Sequence, residues 1–253
     1  MSDAILGNCE LFLRKMKHYK PFQFKQFSIV QNNAAMKVGT DSVLLGAWVK
    51  IKPKEHILDI GTGTGILSLM LAQKVNGNCQ IDAIEIDAEA MKDACLNFKN
   101  SPWPNSLKLI QQDFNLFESD DLYDVIISNP PFFEGLAPEH KGRSIARNAS
   151  NKLNFSNLLG GAAKNLKERG RFYLIIPFEN FEKIIGLAIT NGLQITRQLN
   201  AKPKSNKPIN RVLMELTKIQ HPVEKVIIEE LIVRAKDNSY SKQHSLLTGS
   251  YYL

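Results

Sequence analysis

Short apolar runs alternate with longer amphipathic stretches along the middle of the chain. Five runs have the length and apolar content of buried strands and lie between turn residues; they span 56–60, 80–84, 106–110, 124–128 and 171–176. Three stretches with apolar residues at helical spacing predict helices, at 65–74, 88–97 and 154–166. Alternating strands and helices are typical of a parallel sheet covered on both faces. The sequence therefore predicts an α/β fold with a mostly parallel central sheet.

Further elements are predicted on both sides of this pattern. Residues 22–30 roughly alternate between apolar and polar and predict a half-buried N-terminal β-hairpin. A helix is predicted at 42–49, with the side-chain oxygens of Thr40 and Asp41 available to cap its N-terminus.

Near the C-terminus, 193–200 and 211–218 flank the turn-rich segment 202–208, which predicts an antiparallel hairpin on the edge of the sheet. Residues 224–233 predict one more strand. Because no internal repeat or long linker separates these pieces, we expect a single domain over 1–253. Its parts are a basic extension with a hairpin at 1–40, a core at 41–218, and a C-terminal strand and tail at 219–253.

The composition is that of an ordinary globular protein, with 253 residues, 43% of them hydrophobic and 23% charged. No apolar run approaches the roughly 18 residues that cross a bilayer, so we expect no membrane association. The three cysteines form no CxxC pair and the five histidines form no HExxH motif. We therefore expect no metal site.

The net charge of +7 is concentrated in three segments. Residues 11–40 hold six Lys or Arg and no acid, 141–171 hold eight and one acid, and 183–214 hold six and no acid. Such segregation favours a basic face for a polyanion, most often a nucleic acid. The alternative is that these side chains only keep the protein in solution, and the pattern does not distinguish RNA from DNA or acidic lipid.

A glycine-rich turn follows the first apolar run, in the sequence ILDIGTGTGI. Gly61, Gly63 and Gly65 let the backbone turn tightly and let a ligand approach where a Cβ would block it. The helix that starts here directs free N–H groups at that ligand. A dinucleotide fingerprint has glycine at the sixth position, where this chain has Ile66. With Asp59 before it, the turn resembles motif I of S-adenosylmethionine-dependent methyltransferases.

Acidic residues stand at the ends of the next two predicted strands. Glu85 is predicted to accept both ribose hydroxyls of a cofactor, because ligands of open α/β sheets bind at the carboxyl edge. Asp113 is predicted to accept from the adenine amino group, with the Phe114 ring in contact with the adenine. Either acid alone is more often a solvated strand end. Both of them behind a glycine turn favour a ligand site.

The sequence Asn-Pro-Pro-Phe follows the fourth predicted strand, at 129–132. It resembles the motif of amino-methyltransferases, which modify adenine N6, guanine N2 or the glutamine side-chain amide. An exocyclic amine is a poor nucleophile because its lone pair is delocalised. The Asn129 side-chain oxygen and the Pro130 carbonyl can hold its two N–H groups, and Pro130 and Pro131 preorganise these acceptors. Phe132 supplies a flat face on which the base stacks.

The segment after this motif, 133–150, is predicted to be a loop. It contains Lys141, Arg143 and Arg147 among glycine, alanine and polar residues. Such a loop can fold over a substrate and clamp its phosphates. A merely flexible loop is the alternative.

Together these motifs resemble one family almost end to end, the bacterial tRNA1(Val) adenine-37 N6-methyltransferases. The matching pieces are FKQF at 24–27, MKVGTDSVLLGAW at 36–48, LDIGTGTGI at 58–66, IEID at 84–87, NPPF at 129–132, RSIAR at 143–147 and YYL at 251–253. The resemblance implies a Rossmann-like class I methyltransferase fold and S-adenosylmethionine as cofactor. It also implies a cytoplasmic enzyme that methylates the adenine next to the anticodon of one tRNA and contacts the anticodon stem-loop region.

The predicted site divides into three sets. The catalytic residues are Asn129, Pro130, Pro131 and Phe132. The cofactor-binding residues are Thr40, Asp59, Gly61, Gly63, Gly65, Glu85, Ile86, Asp113, Phe114 and Asn129. The substrate-binding residues are Phe132, Lys141, Arg143 and Arg147.

Three other functions are compatible with parts of the sequence. A protein glutamine N5-methyltransferase of the release-factor type shares the Asn-Pro-Pro-aromatic motif, although a protein substrate does not call for the basic segments. An rRNA guanine N2-methyltransferase is not excluded by the motif. A non-catalytic RNA-binding protein with a vestigial cofactor pocket is the alternative from another class, and the intact motif at 129–132 argues against it.

Overall fold

The computed structural model describes residues 20–131, 153–221 and 223–253. The strands along these residues are β1 Phe22–Gln23, β2 Ser28–Ile29, β3 His56–Ile60, β4 Gln80–Glu85, β5 Leu107–Gln111, β6 Tyr123–Ser128, β7 Leu166–Pro177, β8 Leu193–Lys204, β9 Arg211–Lys218 and β10 Ile227–Arg234. The α-helices are α1 Thr40–Trp48, α2 Ile66–Lys74, α3 Ala88–Lys99, α4 Phe155–Asn165, α5 Phe181–Thr190 and α6 Lys242–Thr248. Short 3-10 turns lie at Pro104–Ser106, Phe114–Leu116 and Phe178–Asn180.

Eight of these strands form one sheet in the order β10-β8-β9-β7-β6-β3-β4-β5, and β1 pairs with β2 separately. Within the eight-stranded sheet, β9 runs antiparallel to its neighbours β7 and β8, and the other pairs are parallel. The strand order reverses at β3, because β4 and β5 extend to one side of it and the later strands to the other. Ligands of open α/β sheets bind at such a reversal, outside the carboxyl ends of the strands.

The register of the three strands at this reversal places their carboxyl ends side by side. Ile60, the last residue of β3, lies opposite Ile84 in β4 and Ser128 in β6. The chain therefore reaches the same edge of the sheet three times at one level. The residues that follow Ile60, Ile84 and Ser128 in the chain are Gly61, Glu85 and Asn129.

Alternate residues of the central strands belong to two separate cores. Ile57 of β3 packs in one core with side chains of α1 and α2, and Leu58 packs in the other with side chains of α4 and α5. Phe24 of the N-terminal hairpin region and Tyr251 of the C-terminal tail join the first core. Burial on both faces explains why the central strands are almost continuously apolar.

The predicted strands and helices of the core are confirmed, as are the N-terminal hairpin and the strand near 224–233. Most ends agree within a few residues. β7 begins at Leu166, directly after α4, rather than at 171. α5 and α6 add to the predicted elements.

Two predictions about the placement of elements are wrong. Thr40 and Asp41 do not cap α1, because the helix already begins at Thr40 and Gly39 occupies the N-cap position without a side-chain hydrogen bond. Asp41 instead pairs with Arg211 of β9 at 2.9 Å. The β8–β9 hairpin does not form the edge of the sheet, since β10 pairs in parallel with β8 outside it.

Candidate active site

The turn after β3 has the backbone conformation that its glycines predict. Gly61, Gly63 and Gly65 have φ values of 71°, 58° and 83°, in the left-handed region that favours glycine. The N–H of Gly61 donates to the carbonyl of Ile84 at 2.9 Å, which joins the turn to β4. A Cβ on Gly65 would lie 2.4 Å from the ring of Phe98, so packing also requires glycine there.

Asp59 supports this turn from inside the core. Its Oδ2 accepts hydrogen bonds from Thr62 Oγ1 and Ser68 Oγ, each at 2.7 Å, and from Ser68 N at 3.2 Å. Full burial outweighs these bonds and raises the pKa of the Asp59 carboxyl to about 6. Asp59 therefore ties the turn to the start of α2. Its contact with a cofactor stays a prediction.

Glu85 connects the glycine turn to the end of β4. Its Oε2 accepts from Gly63 N at 2.8 Å, and its Oε1 accepts from Ile86 N at 2.9 Å and Asp87 N at 2.8 Å. The side chain of Ile86 is 58% exposed and provides apolar surface at this edge. Glu85 thus lies against the glycine turn with Ile86 next to it in the chain, and the contacts of both residues with ribose or adenine stay predictions.

Asn129 directly follows β6, and one end of its side-chain amide is hydrogen-bonded to another residue. Nδ2 donates to Ser42 Oγ of α1 at 2.8 Å. Oδ1 is buried and accepts no hydrogen bond from the described residues. A buried acceptor without a donor costs about 1–3 kcal/mol and calls for an explanation. Asn129 therefore offers a preformed acceptor for an N–H group that a ligand brings. The next residue, Pro130, is buried and Pro131 is exposed.

Asp113 begins a short turn after β5. Its Oδ1 accepts from Asn115 N and Asn115 Nδ2, each at 2.9 Å, and Asn115 Oδ1 in turn accepts from Asn157 of α4. Phe114 is 7% exposed, and a Cβ on Gly161 of α4 would lie 2.6 Å from its ring. The Phe114 ring is therefore part of the second core. Adenine contacts of Asp113 and Phe114 stay predictions.

Two polar residues of α3 hold the segment that precedes α1, and neither was among the predicted site residues. Asp93 is fully buried and accepts from Asn33 N at 2.8 Å and Asn33 Nδ2 at 2.9 Å. Asn97 accepts from Val30 N at 2.7 Å and donates to the carbonyl of Thr64, in the glycine turn, at 2.8 Å. Their spacing was the one signal in the sequence for this role, because polar residues four positions apart lie on the same side of a helix.

The structure brings the glycine turn, Glu85 and Asn129 to one edge of the sheet. Thr40 begins α1, two residues before the Ser42 that contacts Asn129. Ser42 was not predicted from the sequence either. The remaining predicted residues lie outside the described ranges: Phe132, Lys141, Arg143 and Arg147.

A groove of about 540 Å³ lies at the opposite, amino edge of the sheet, lined by the starts of β3 to β6. Its polar groups engage one another, because Asp82 Oδ2 accepts from Tyr123 OH at 2.8 Å and lies 3.3 Å from His56 Nε2. Because it lies at the opposite edge of the sheet, this groove is distinct from the candidate site. Over 20–131, 153–221 and 223–253, no cluster of three metal-ligating side chains occurs and no helix is long and apolar enough to cross a bilayer.

The chain matches the family model "Methyltransferase small domain" over 33–184. It is 41% identical over 233 residues to the tRNA1(Val) (adenine(37)-N6)-methyltransferase of Bacteroides thetaiotaomicron, which covers 92% of this chain and 97% of that protein. The chain belongs to the tRNA1(Val) adenine-37 N6-methyltransferase family. Proteins of the same name from Tolumonas auensis and Haemophilus influenzae are 41% and 40% identical over 92% of this chain, and the matches cover 96% and 98% of their lengths.

Solved methyltransferase structures resemble the fold of this family member. A predicted O-methyltransferase from Agrobacterium tumefaciens superposes with a TM-score of 0.64 at 17% identity, over 83% of this chain and 96% of that one. A putative class I S-adenosylmethionine-dependent methyltransferase from Listeria monocytogenes gives 0.54 at 18% identity, over 75% and 62%. At these identities the likeness concerns the fold alone. The predicted α/β methyltransferase fold and the predicted family are confirmed.

Proposed function

We propose that this protein transfers a methyl group from S-adenosylmethionine to the exocyclic N6 of adenine 37 in tRNA1(Val). The names of the relatives support this substrate, and their similarity extends over nearly the whole chain. The observation that carries the proposal is the buried Asn129 Oδ1, an acceptor with no donor among the described residues, at the end of β6. Its position suits an amine with two N–H groups.

The residues at the carboxyl edge fit S-adenosylmethionine. A Cβ built on Gly61 or Gly63 meets no heavy atom of the described residues within 4 Å, so the turn leaves open space beside it. The Glu85 carboxylate suits ribose hydroxyls, the exposed Ile86 side chain suits an adenine ring, and Asp113 suits its amino group. When bound, the cofactor supplies a methyl group activated by a sulfonium centre.

The protein's own contribution to the chemistry is to hold the amine in one orientation. Asn129 Oδ1 and the Pro130 carbonyl accept its two N–H groups, which favours a tetrahedral nitrogen with its lone pair directed at the methyl donor. Pro130 and Pro131 restrict the backbone, so these acceptors need no reorganisation when the base arrives. Positioning and fixed dipoles, rather than a strong base, account for the acceleration, and transfer is direct and in line.

The tRNA binds through its anticodon stem-loop region. An unpaired loop adenine costs less to extrude than a paired one, so adenine 37 reaches the site at low cost and stacks on Phe132. Lys141, Arg143 and Arg147 hold backbone phosphates while this occurs. We further propose that the chain is a single methyltransferase domain and acts in the cytoplasm, where its substrate is.

Methyl transfer to total RNA and to total protein tests this function. We expect labelled S-adenosylmethionine to give N6-methyladenosine in the tRNA fraction. Label in protein would indicate a glutamine methyltransferase, and N2-methylguanosine in rRNA would indicate a guanine methyltransferase. Cofactor binding without any transfer would indicate a non-catalytic RNA-binding protein.

A further inference from the structure

The orientation of the Asn129 amide is decisive for the proposed chemistry. An asparagine amide has two nearly isosteric orientations, related by a half-turn about its terminal bond. In one of them the oxygen faces the target amine and accepts from it. In the other the NH2 group faces the amine, so that two donors oppose each other. The first orientation therefore needs an acceptor for Nδ2 on the side away from the amine.

Ser42 is the described residue that contacts this amide, with Oγ 2.8 Å from Asn129 Nδ2. A serine hydroxyl both donates and accepts, so the contact alone is compatible with either orientation. With the target amine on the other side, only the orientation in the structure gives both ends of the amide a partner. Ser42 satisfies Nδ2 and leaves Oδ1 for the substrate.

The hydroxyl of Ser42 is itself fixed in position relative to the sheet. Asp41, the residue before it, pairs with Arg211 of β9 at 2.9 Å. The other end of α1 is held by Lys74 of α2, whose Nζ donates to the carbonyls of Ala47 and Val49 at 2.7 Å each. The helix between these contacts is buried along Val43–Trp48. α1 therefore holds the Ser42 hydroxyl beside the end of β6.

We propose that Ser42 is a positioning residue for methyl transfer, which acts on the target amine through Asn129. This inference rests on the proposed function. Ser42 was absent from the predicted site because its partner is 87 residues away along the chain. Its role is to satisfy Asn129 Nδ2 in the orientation that presents Oδ1 to the substrate, and it contributes to the rate of the transfer step rather than to the affinity for either substrate.

Single-turnover methylation of tRNA by Ser42→Ala tests the proposal in two backgrounds. In the wild-type background we expect the single-turnover transfer rate to fall about tenfold, which is the effect of one lost hydrogen bond. The KM for tRNA, measured in the steady state, and the cofactor affinity should be unchanged. In the Asn129→Ala background we expect no further loss, since the group that Ser42 orients is already absent. Ser42→Thr, which keeps the hydroxyl, restores most of the rate. Ser245→Ala, on the exposed side of α6, is the matched control.

Two results would overturn the proposal. One is a wild-type rate in Ser42→Ala. The other is an equal fold loss in both backgrounds, which would mean that the effect passes through α1 and not through Asn129.

The NMR signals of the Asn129 side-chain NH2, assigned by their absence in Asn129→Ala, test the contact without activity. Ser42→Ala is expected to shift them, and unchanged signals reject it. A wild-type enzyme that methylates no tRNA would contradict the proposed function, while these signals would still decide the Ser42 contact.

Discussion

Glu85 binds backbone groups of two motifs, and this affects how its substitution should be interpreted. Both carboxylate oxygens already accept hydrogen bonds, from the glycine turn and from the residues after β4. A carboxylate accepts up to about four hydrogen bonds and three are already made, so about one acceptor site is left for a ribose hydroxyl. Glu85 thus shapes the turn and binds the cofactor in our account.

Glu85→Ala and Asp113→Ala are each expected to weaken S-adenosylmethionine binding by about 1.5–3 kcal/mol, because each removes a charge-assisted acceptor. Isothermal titration calorimetry measures this. Glu89→Ala, an exposed acid on α3 next to the site, is the control and is expected to bind normally. Unchanged affinity in both variants would contradict the assignment of the cofactor site.

Asn129→Ala is expected to lower turnover by about a hundredfold or more, which is the usual effect of losing one preorganised polar group. Cofactor affinity should change little, since the side chain is assigned to the target amine. Steady-state kinetics with tRNA, together with calorimetry for the cofactor, separates the two effects. Full activity in this variant would show that the amine is held elsewhere.

Asp59 predicts a pH dependence of stability. Its folded pKa of about 6 is above the ordinary value for an aspartate, so between pH 4 and 6 the folded protein holds a proton that the unfolded chain has lost. The stability from this neutral form is therefore complete below pH 4 and is lost as the pH rises through 6. Relative to Asp59→Asn, the wild-type free energy of unfolding should fall by about 2–3 kcal/mol from pH 4 to 7. Urea titrations at both pH values measure it, and a constant difference would contradict the burial argument.

The sequence predicted residues whose position follows from strand ends and missed those whose role depends on distant partners. Glu85 and Asn129 were predictable because parallel strands end at one edge of the sheet. Asp93 and Ser42 were not, since their partners lie 60 and 87 residues away along the chain. Local sequence carries no signal for such pairs.

At the scale of elements, α3 acts as a clamp on the N-terminal segment. Asn97→Ala removes its hydrogen bonds with Val30 and with the Thr64 carbonyl. We expect a loss of about 1–3 kcal/mol in the free energy of unfolding, since buried backbone groups lose their partners. Urea denaturation measures it, with the surface variant Glu89→Ala expected within about 0.5 kcal/mol of wild type. Equal stability of the two variants would show that the clamp contributes nothing.

The two helices that were not predicted differ in their local signals. α5 contains Gly186 and several β-branched residues, which disfavour a helix by themselves, but its apolar residues Phe181, Ile184, Ile185 and Ala188 repeat at helical spacing. Its helical form is stabilised by packing, with Ile184 and Ala188 buried in the second core. α6 has seven residues and buries His244 and Thr248. The apolar spacing of α5 was thus a usable signal in the sequence, whereas the short α6 depends on tertiary contacts.

At the scale of the whole molecule, a segment that is basic in the sequence does not always form a basic surface in the folded protein. Within the basic segment 183–214, Arg197, Lys202 and Arg211 pair with acids from distant parts of the chain. These pairs link β8 and β9 to β10 and α1 and reduce the positive charge available to a polyanion. In 141–171, Lys164, Lys167 and Arg171 also pair with acids. The prediction of a basic face therefore depends more on 11–40 and 141–152, and of the cations in these two segments only Lys20, Lys25 and Lys37 lie within the described residues.

The cations of segment 133–150 are therefore expected to contribute to tRNA binding. Arg143→Ala combined with Arg147→Ala should weaken tRNA binding and flatten its dependence on salt by roughly one to two units of slope, because fewer phosphates are neutralised. Cofactor affinity should be unaffected. Filter binding over a salt series measures both slopes. Parallel lines of equal affinity would show that Arg143 and Arg147 do not contact phosphate.

The most direct test of the central claim is to locate the methyl group on the RNA. Unmodified tRNA1(Val) transcripts, with adenine or guanine at position 37, are incubated with the protein and S-adenosylmethionine and then digested for mass spectrometry of the fragments. We predict N6-methyladenosine at position 37 of the first transcript, no methylation of the second, and at most about a hundredth of the wild-type rate with Asn129→Ala. Methylation at another position, or equal methylation of both transcripts, would contradict the account.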